Sequence, residues 1–434
     1  MIRPVPGAAP STALPLAYLA TATVAFVAAA AGVPWLAEAL AGHYYQPRVL
    51  ALTHTVTLGW ITLTIMGASY QLIPIVLARP LWSERLARWT LAAVAAGVVG
   101  MVGHFYIGEW SGLLWGAGLV GLGTAAHVLN GALSVRGLVR FTFTARLVVL
   151  ALGGLALTAL FGLALGAGKL WPVLPGALFS NLHAHVHLAL LGWILPMVVG
   201  VAARVYPMFL LAREPDGWGG RVQLWGLALG VPGVVAGLLV NVQPLVVAGA
   251  LAVAAAVGGH LAWVAAMVWH RRRPALDWGL RFVITGAAFL VPASLLGLAL
   301  AADAVSGPRV ALAYAVLALG GWVSLTIVGM MLKIVPFLVW YRAYSPRVGR
   351  EPVPTLAQLG WPAAEAIAWA LLAGGMAALA LAAYAGDPAA IRGAGLLVAA
   401  GAAAFAATLG RVLHHLMPGA ARRPAAPAGR VRAS

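Results

Sequence analysis

The side chains of this sequence best suited to chemistry are its histidines. The chain contains 11 histidines, 10 carboxylates and no cysteine, which excludes disulfides, thiolate metal sites, iron–sulfur clusters and cysteine nucleophiles. Imidazole binds haem iron and copper well, and a histidine inside a membrane is costly enough to indicate a function. Any metal or cofactor is therefore expected on histidine, with carboxylate, methionine and backbone as the other donors.

Four histidines stand out by their spacing. His54 is isolated, whereas His183, His185 and His187 alternate within one short stretch. On a helix His183 and His187 share a face, and His185 points about 200° away. We predict a ligand pair of His54 with His187 or His183, and His185 as a further metal-ligand candidate. The alternative is a set of buried histidines that only hydrogen-bond.

Three more histidines are weaker candidates: His104, His127 and His260. His104 lies at the outer end of a predicted helix. His127 and His260 are each alone on a helix, where a hydrogen bond to a neighbouring helix would explain them equally well.

The composition predicts that helices spanning a membrane position these residues. The chain has 434 residues, of which 62% are hydrophobic and 9% charged, against about 25% charged in a soluble domain. A span needs roughly 20 apolar residues. We predict an all-α polytopic membrane protein with the lipid bilayer as its partner. The twelve predicted spans are 13–35, 49–77, 87–107, 112–134, 147–168, 179–208, 221–240, 243–269, 279–301, 309–340, 362–384 and 392–416.

The net charge of +17 predicts an orientation rather than nucleic-acid binding. Alternate loops divide the basic residues 23 to 4, and the basic side is expected to be cytoplasmic. Both termini then lie in the cytoplasm, with the protein in the inner cell membrane. His54 lies about 9 Å below the outer surface and the His183 cluster about 6 to 13 Å below it. Tyr44, Tyr45 and Tyr314 have similar depths, at undefined positions around their helices.

A threefold internal repeat sets the register of the helices. The pattern G-W-x6-G-x6-P occurs at Gly59, Gly192 and Gly321, with separations of 133 and 129 residues. Each separation corresponds to four spans, which predicts three units within one transmembrane domain, at 13–140, 147–273 and 279–416. The motif itself is typical of helix packing. Residues 417–434 are predicted to be a basic, disordered cytoplasmic tail.

In this register His54 and His187 are equivalent, since each lies five residues before a Gly-Trp pair. The architecture resembles the catalytic subunit I of haem-copper oxidases and nitric oxide reductases. His183-Ala184-His185 is similar to the H-x-H haem-ligand motif of that superfamily, and the stretch from His54 to Gly59 is similar to H-x-x-T-x-G in the related NnrS-like membrane proteins. By position, the resemblance implies that His54 is an axial ligand of a b-type haem.

The sequence departs from that family where copper would bind. Val316 stands on the tenth span, where the oxidases have their H-x-H pair, and the seventh span has no histidine. The resemblance therefore implies a haem site with an incomplete copper site.

Three functions follow as hypotheses. The first is a membrane haem protein in electron transfer or in handling O2 or NO. It would be an oxidoreductase supplied by a cytochrome or quinol, with other membrane subunits as candidate partners. The second is a metal or haem transport or assembly protein. The third is a noncatalytic subunit of a respiratory complex.

Overall fold

The structure, a computed structural model, describes residues 11–77, 79–138, 140–212, 217–272 and 275–417. Regular structure in these ranges is helical throughout, without a strand. Twelve of the helices are long and apolar enough to cross a membrane, which confirms the predicted all-α polytopic fold. They are numbered α1 to α12: Ala13–Trp35, Pro47–Ile75, Glu84–Ile107, Trp110–Val135, Phe143–Ala167, Leu178–Leu210, Trp218–Val240, Gln243–Trp269, Trp278–Ala301, Pro308–Arg347, Pro362–Ala385 and Pro388–His414.

The longest helix, α10, continues well past its predicted end at residue 340. Its 40 residues correspond to about 60 Å, about twice the thickness of a hydrocarbon core. The end that carries Arg342 therefore extends beyond the apolar layer. Apart from Met417, the predicted tail lies outside the described residues, as do Arg3, Arg213 and Arg273 of the predicted basic side.

Three helices form the centre of the bundle. The share of buried residues is 61% in α2, 61% in α6 and 67% in α10, and at most 50% in the other nine spans. The hairpins α3–α4, α7–α8 and α11–α12 pack closely within themselves, and α1 packs on both α2 and α12. The three central helices are the ones that carry the Gly-Trp motif, so the predicted equivalence of these helices agrees with their place in the bundle. The repeat itself stays a prediction.

Large apolar side chains cover the outside of the bundle. Val99, Leu122, Leu229 and Leu381 are all more than half exposed. Apolar patches of this kind are rare on soluble proteins, whereas acyl chains solvate them at no cost. The predicted lipid environment is therefore supported.

Each central helix contains a π-helical segment at the motif. The segments are Thr55–Thr62, Leu188–Ile194 and Val316–Ser324, and each holds one Gly-Trp pair. The three tryptophans are buried, and Trp60 Nε1 donates to Ser324 Oγ at 3.0 Å, which joins α2 to α10. A π segment is a common feature of functional sites because its extra residue changes the direction of neighbouring side chains.

The motif glycines allow close helix contacts, as the packing interpretation predicts. The backbone of Gly192 on α6 touches Gly154 on α5, so that a Cβ at Gly154 would collide with it. We expect Gly154→Ala to lower the free energy of unfolding by about 1–3 kcal/mol, since a tightly packed interface cannot absorb an extra carbon. The neighbouring Gly153 has no atom near its own Cβ position. Thermal unfolding in detergent should therefore show Gly154→Ala less stable than Gly153→Ala, and equal melting temperatures would contradict this packing.

Candidate functional site

One large cavity lies among the central helices at the end of the bundle where α6 begins. This end is called the outer end, following the predicted orientation. The cavity has a volume of about 830 Å³ and a mostly apolar wall supplied by α2 to α10, within the usual range of about 300–1,000 Å³ for ligand sites. Five histidines line it: His43, His54, His183, His185 and His187. The structure therefore gathers all four principal sequence candidates around one space.

Two parts of this one cavity are called chambers here, according to the helices that line them. The first chamber is bounded by α2 to α6 and the second by α6 to α10. Because α6 borders both chambers, its alternating histidines can face different ones. The contacts of each ring decide which chamber it serves.

His54 faces the first chamber with one ring nitrogen already fixed. Its Nδ1 lies 2.7 Å from the carbonyl oxygen of Leu50, one turn earlier. A carbonyl only accepts, so Nδ1 carries the proton and Nε2 of the neutral ring keeps its lone pair. The ring stacks on Phe105 of α3 with 4.7 Å between centroids. His54 is therefore oriented as a metal-ligating imidazole is in proteins.

His185 lies across the first chamber from His54. Its ring contacts Phe161 of α5 with 6.1 Å between centroids, and Nδ1 has no hydrogen-bond partner among the described residues. The His54 and His185 rings lie close enough for like charges on them to repel each other. Gly162 leaves room beside this ring, since a Cβ there would lie 3.0 Å from its Cε1. The structure therefore brings His54 together with His185.

His187 faces the second chamber. Its Nδ1 lies 2.8 Å from the carbonyl oxygen of His183, which leaves Nε2 unprotonated by the same argument as for His54. The ring stacks against Tyr314 of α10, with 6.0 Å between centroids and 19° between planes. His187 thus has the tautomer of a ligand, but its neighbour across the chamber is a phenol.

The two chambers have equivalent pairs in the register of the Gly-Trp motif. His54 and His187 each lie five residues before a Gly-Trp pair, and His185 and Tyr314 each lie seven residues before one. The third combination, between α10 and α2, is Val316 with Leu52. The pair on α2 and α6 therefore consists of two imidazoles, and the pair on α6 and α10 of an imidazole and a phenol. The pair on α10 and α2 consists of two aliphatic side chains.

His183 lies at the rim of the cavity, where its ring already forms a hydrogen bond. Its Nε2 lies 2.9 Å from the Tyr44 hydroxyl. Burial raises the pKa of Tyr44, so this hydroxyl stays protonated at neutral pH and can donate to Nε2. A metal ion could bind Nε2 of His183 only by displacing the Tyr44 hydroxyl.

The three weaker candidates lie away from the cavity wall. His104 lies at the outer end of α3, where Nδ1 is 2.9 Å from Glu109 and Nε2 accepts from Trp115. His127 and His260 are buried, and His127 has no hydrogen-bond partner on either ring nitrogen among the described residues. The cross-helix hydrogen bond suggested by the sequence is therefore not formed by His127 within that part of the chain.

The histidines form pairs rather than larger groups. Within the described ranges no three His, Asp or Glu side chains lie together as a metal-binding group. Two imidazoles on different helices suit the two axial positions of a haem, whereas a copper or zinc ion bound by protein alone usually has three or four ligands.

The sequence predicts a common level along the helices for the candidate histidines. It does not predict that Tyr314 and Lys169 line the same cavity. Tyr314 was placed only by depth, and Lys169 at the rim was counted only as a charge. The motif register contains the missing signal, since His185 and Tyr314 share one position relative to Gly-Trp. No protein-family model matches this chain, and no curated protein has significant similarity to it.

Proposed function

We propose that this protein is an integral membrane haem protein that holds a b-type haem in the first chamber, with His54 and His185 as the residues that would bind the iron. The observation that carries the proposal is the pair of imidazoles on α2 and α6, which face one apolar chamber with His54 Nε2 held free. His185 replaces His183 and His187 as the preferred partner, because His183 is bonded to Tyr44 and His187 faces Tyr314.

The first chamber fits a flat, apolar cofactor. Small side chains of α4 and α5 line it, among them Ala117, Gly121 and Gly162. Aromatic and aliphatic residues supply most of the remainder of the wall, together with five threonines. A mostly apolar wall of this kind excludes water from a buried macrocycle. The two imidazole donors match the preference of haem iron for nitrogen ligands.

The donor set favours electron transfer over reaction with a gas. A haem between two imidazoles supplies one-electron transfer and leaves no coordination position for O2 or NO. The role of this chain would be to hold His54 at a fixed tautomer, to position both rings and to keep the chamber dry. The electron donor would be a separate cytochrome or quinol, which makes the protein an oxidoreductase component of a respiratory chain.

The proposed orientation places this haem near the extracytoplasmic face of the inner membrane. The support is the distribution of Lys and Arg along the sequence, 23 on one side and four on the other. The termini would then be cytoplasmic.

A second candidate function is transport or assembly of haem or a metal. It is favoured by the exposed rim residue His43, whose ring lies 4.6 Å from that of Tyr44, which in turn bonds His183. This series of polar groups leads from the surface into the cavity and could pass a ligand inward.

The test is haem and metal analysis of the purified protein with a reduced-minus-oxidised optical spectrum. We expect one haem b per chain, with the spectrum of a haem bound by two imidazoles and no change when carbon monoxide is added to the reduced form. A folded protein without haem would refute the proposal. Copper bound in the absence of haem would favour the transport function.

A further inference from the structure

A single cation lines the cavity within the described part of the chain. Lys169 follows α5 and lies at the rim of the first chamber beside Tyr45. The other basic residues of the outer end, Arg48, Arg309 and Arg392, do not belong to the wall. Positive charge near the ligand is therefore concentrated at Lys169.

The ammonium of Lys169 rests between two aromatic rings. Its Nζ lies 4.4 Å from the ring centroid of Tyr45 and 4.5 Å from that of Trp110, and it donates to the Tyr45 hydroxyl at 2.5 Å. No carboxylate among the described residues forms an ion pair with it. An ammonium has three donors, so Lys169 can still bind an anion.

Glu109, whose chain neighbour Trp110 contacts Lys169, is hydrogen-bonded to other groups. Its carboxylate accepts from the backbone N–H groups of Ser111 and Gly112 at the start of α4. Hydrogen bonds from Ser111 and Gly112 hold the pKa of Glu109 below its ordinary value, so it is ionised and bonded within its own loop.

A series of aromatic contacts joins His54 to Lys169. His54 stacks on Phe105, the Phe105 ring meets Trp110 at 6.1 Å between centroids, and Trp110 contacts the ammonium. His54 is seven residues into α2, so it lies about 10 Å below the start of that helix. A ligand seated on His54 therefore has an apolar surface beside it and a cation at the rim.

We propose that Lys169, positioned by Tyr45, binds a propionate carboxylate of the haem and so sets which edge of the macrocycle faces outward. The inference rests on the proposed haem function. A haem has an apolar body with two carboxylates on one edge, and the first chamber has an apolar wall with one cation at its mouth. Partial burial strengthens the charge-assisted hydrogen bond.

The test compares the dissociation constants of haem and haem dimethyl ester, titrated into protein produced without haem. The ester keeps the iron and the macrocycle but removes both negative charges. We expect the wild type to bind haem roughly tenfold or more tightly than the ester. Lys169→Met should bind both equally, and Lys169→Arg should keep the preference. Arg48→Met, which removes an exposed cation outside the cavity wall, is the matched control and should behave as the wild type.

The outcomes separate this inference from the proposed function. Equal binding of haem and ester by the wild type, or an unchanged preference in Lys169→Met, would overturn the role of Lys169 and leave haem binding intact. Failure of the wild type to bind either compound would refute both. If Lys169→Met does not fold, Lys169→Gln gives the same comparison with a neutral polar side chain.

Discussion

His54→Ala is expected to leave the purified protein with little or no haem. The substitution removes the one cavity imidazole of α2, whose Nδ1 bonds the Leu50 carbonyl and whose Nε2 keeps its lone pair. Loss of a partner that only orients a metal ligand typically costs 10–100-fold in affinity, and loss of the ligand itself should cost more. Haem per chain, measured after detergent extraction, should fall at least roughly tenfold.

The control for His54 is His104→Ala. His104 lies at the same end of the bundle but outside the cavity wall, where it contacts Glu109 and Trp115. Its loss should leave the haem content unchanged. Equal haem in His54→Ala and the wild type would remove His54 from the site.

His185→Ala is expected to open a coordination position without emptying the chamber. His54 would still hold the haem, and the space left by the His185 ring beside Gly162 would admit a small ligand. The reduced variant should therefore bind carbon monoxide nearly stoichiometrically, seen as a shift of the main absorption band. The wild type should not.

His187→Ala and His183→Ala distinguish the three histidines of α6. His187 stacks against Tyr314 and His183 bonds Tyr44, so neither variant should gain carbon monoxide binding. Carbon monoxide binding gained by His187→Ala in place of His185→Ala would assign the second ligand to His187, as the sequence alone suggested.

Much of the fold could be predicted because it depends on local properties. A span is a length of apolar sequence, and all twelve were found within a few residues of their ends. The main exception has a physical reason: α10 continues beyond the apolar layer, where polar residues remain helical and hydropathy no longer marks the end. Helix α10 also continues past Pro336, the last residue of its Gly-Trp motif.

The level of the candidate histidines along their helices could be predicted from the sequence, but the direction in which each ring points could not. Counting residues from the start of a span gave the level of His54 and the His183 cluster. The face of a helix that meets a cavity depends on how the helix is rotated against its neighbours, and the π segment that begins beside His187 changes that rotation within the span. The periodicity of apolar residues does not show which face of a central helix meets the cavity, because every face of such a helix is largely apolar.

The sequence by itself determined that this protein is a bundle of twelve membrane helices, and its Gly-Trp register made His54 and His187 equivalent. Only the tertiary structure decided that His54 faces His185, that His187 faces Tyr314, and that Lys169 rests on Tyr45 and Trp110. The physical reason is that hydropathy and spacing describe one helix at a time. A site is made of side chains from several helices, whose rotation and contacts are set by packing.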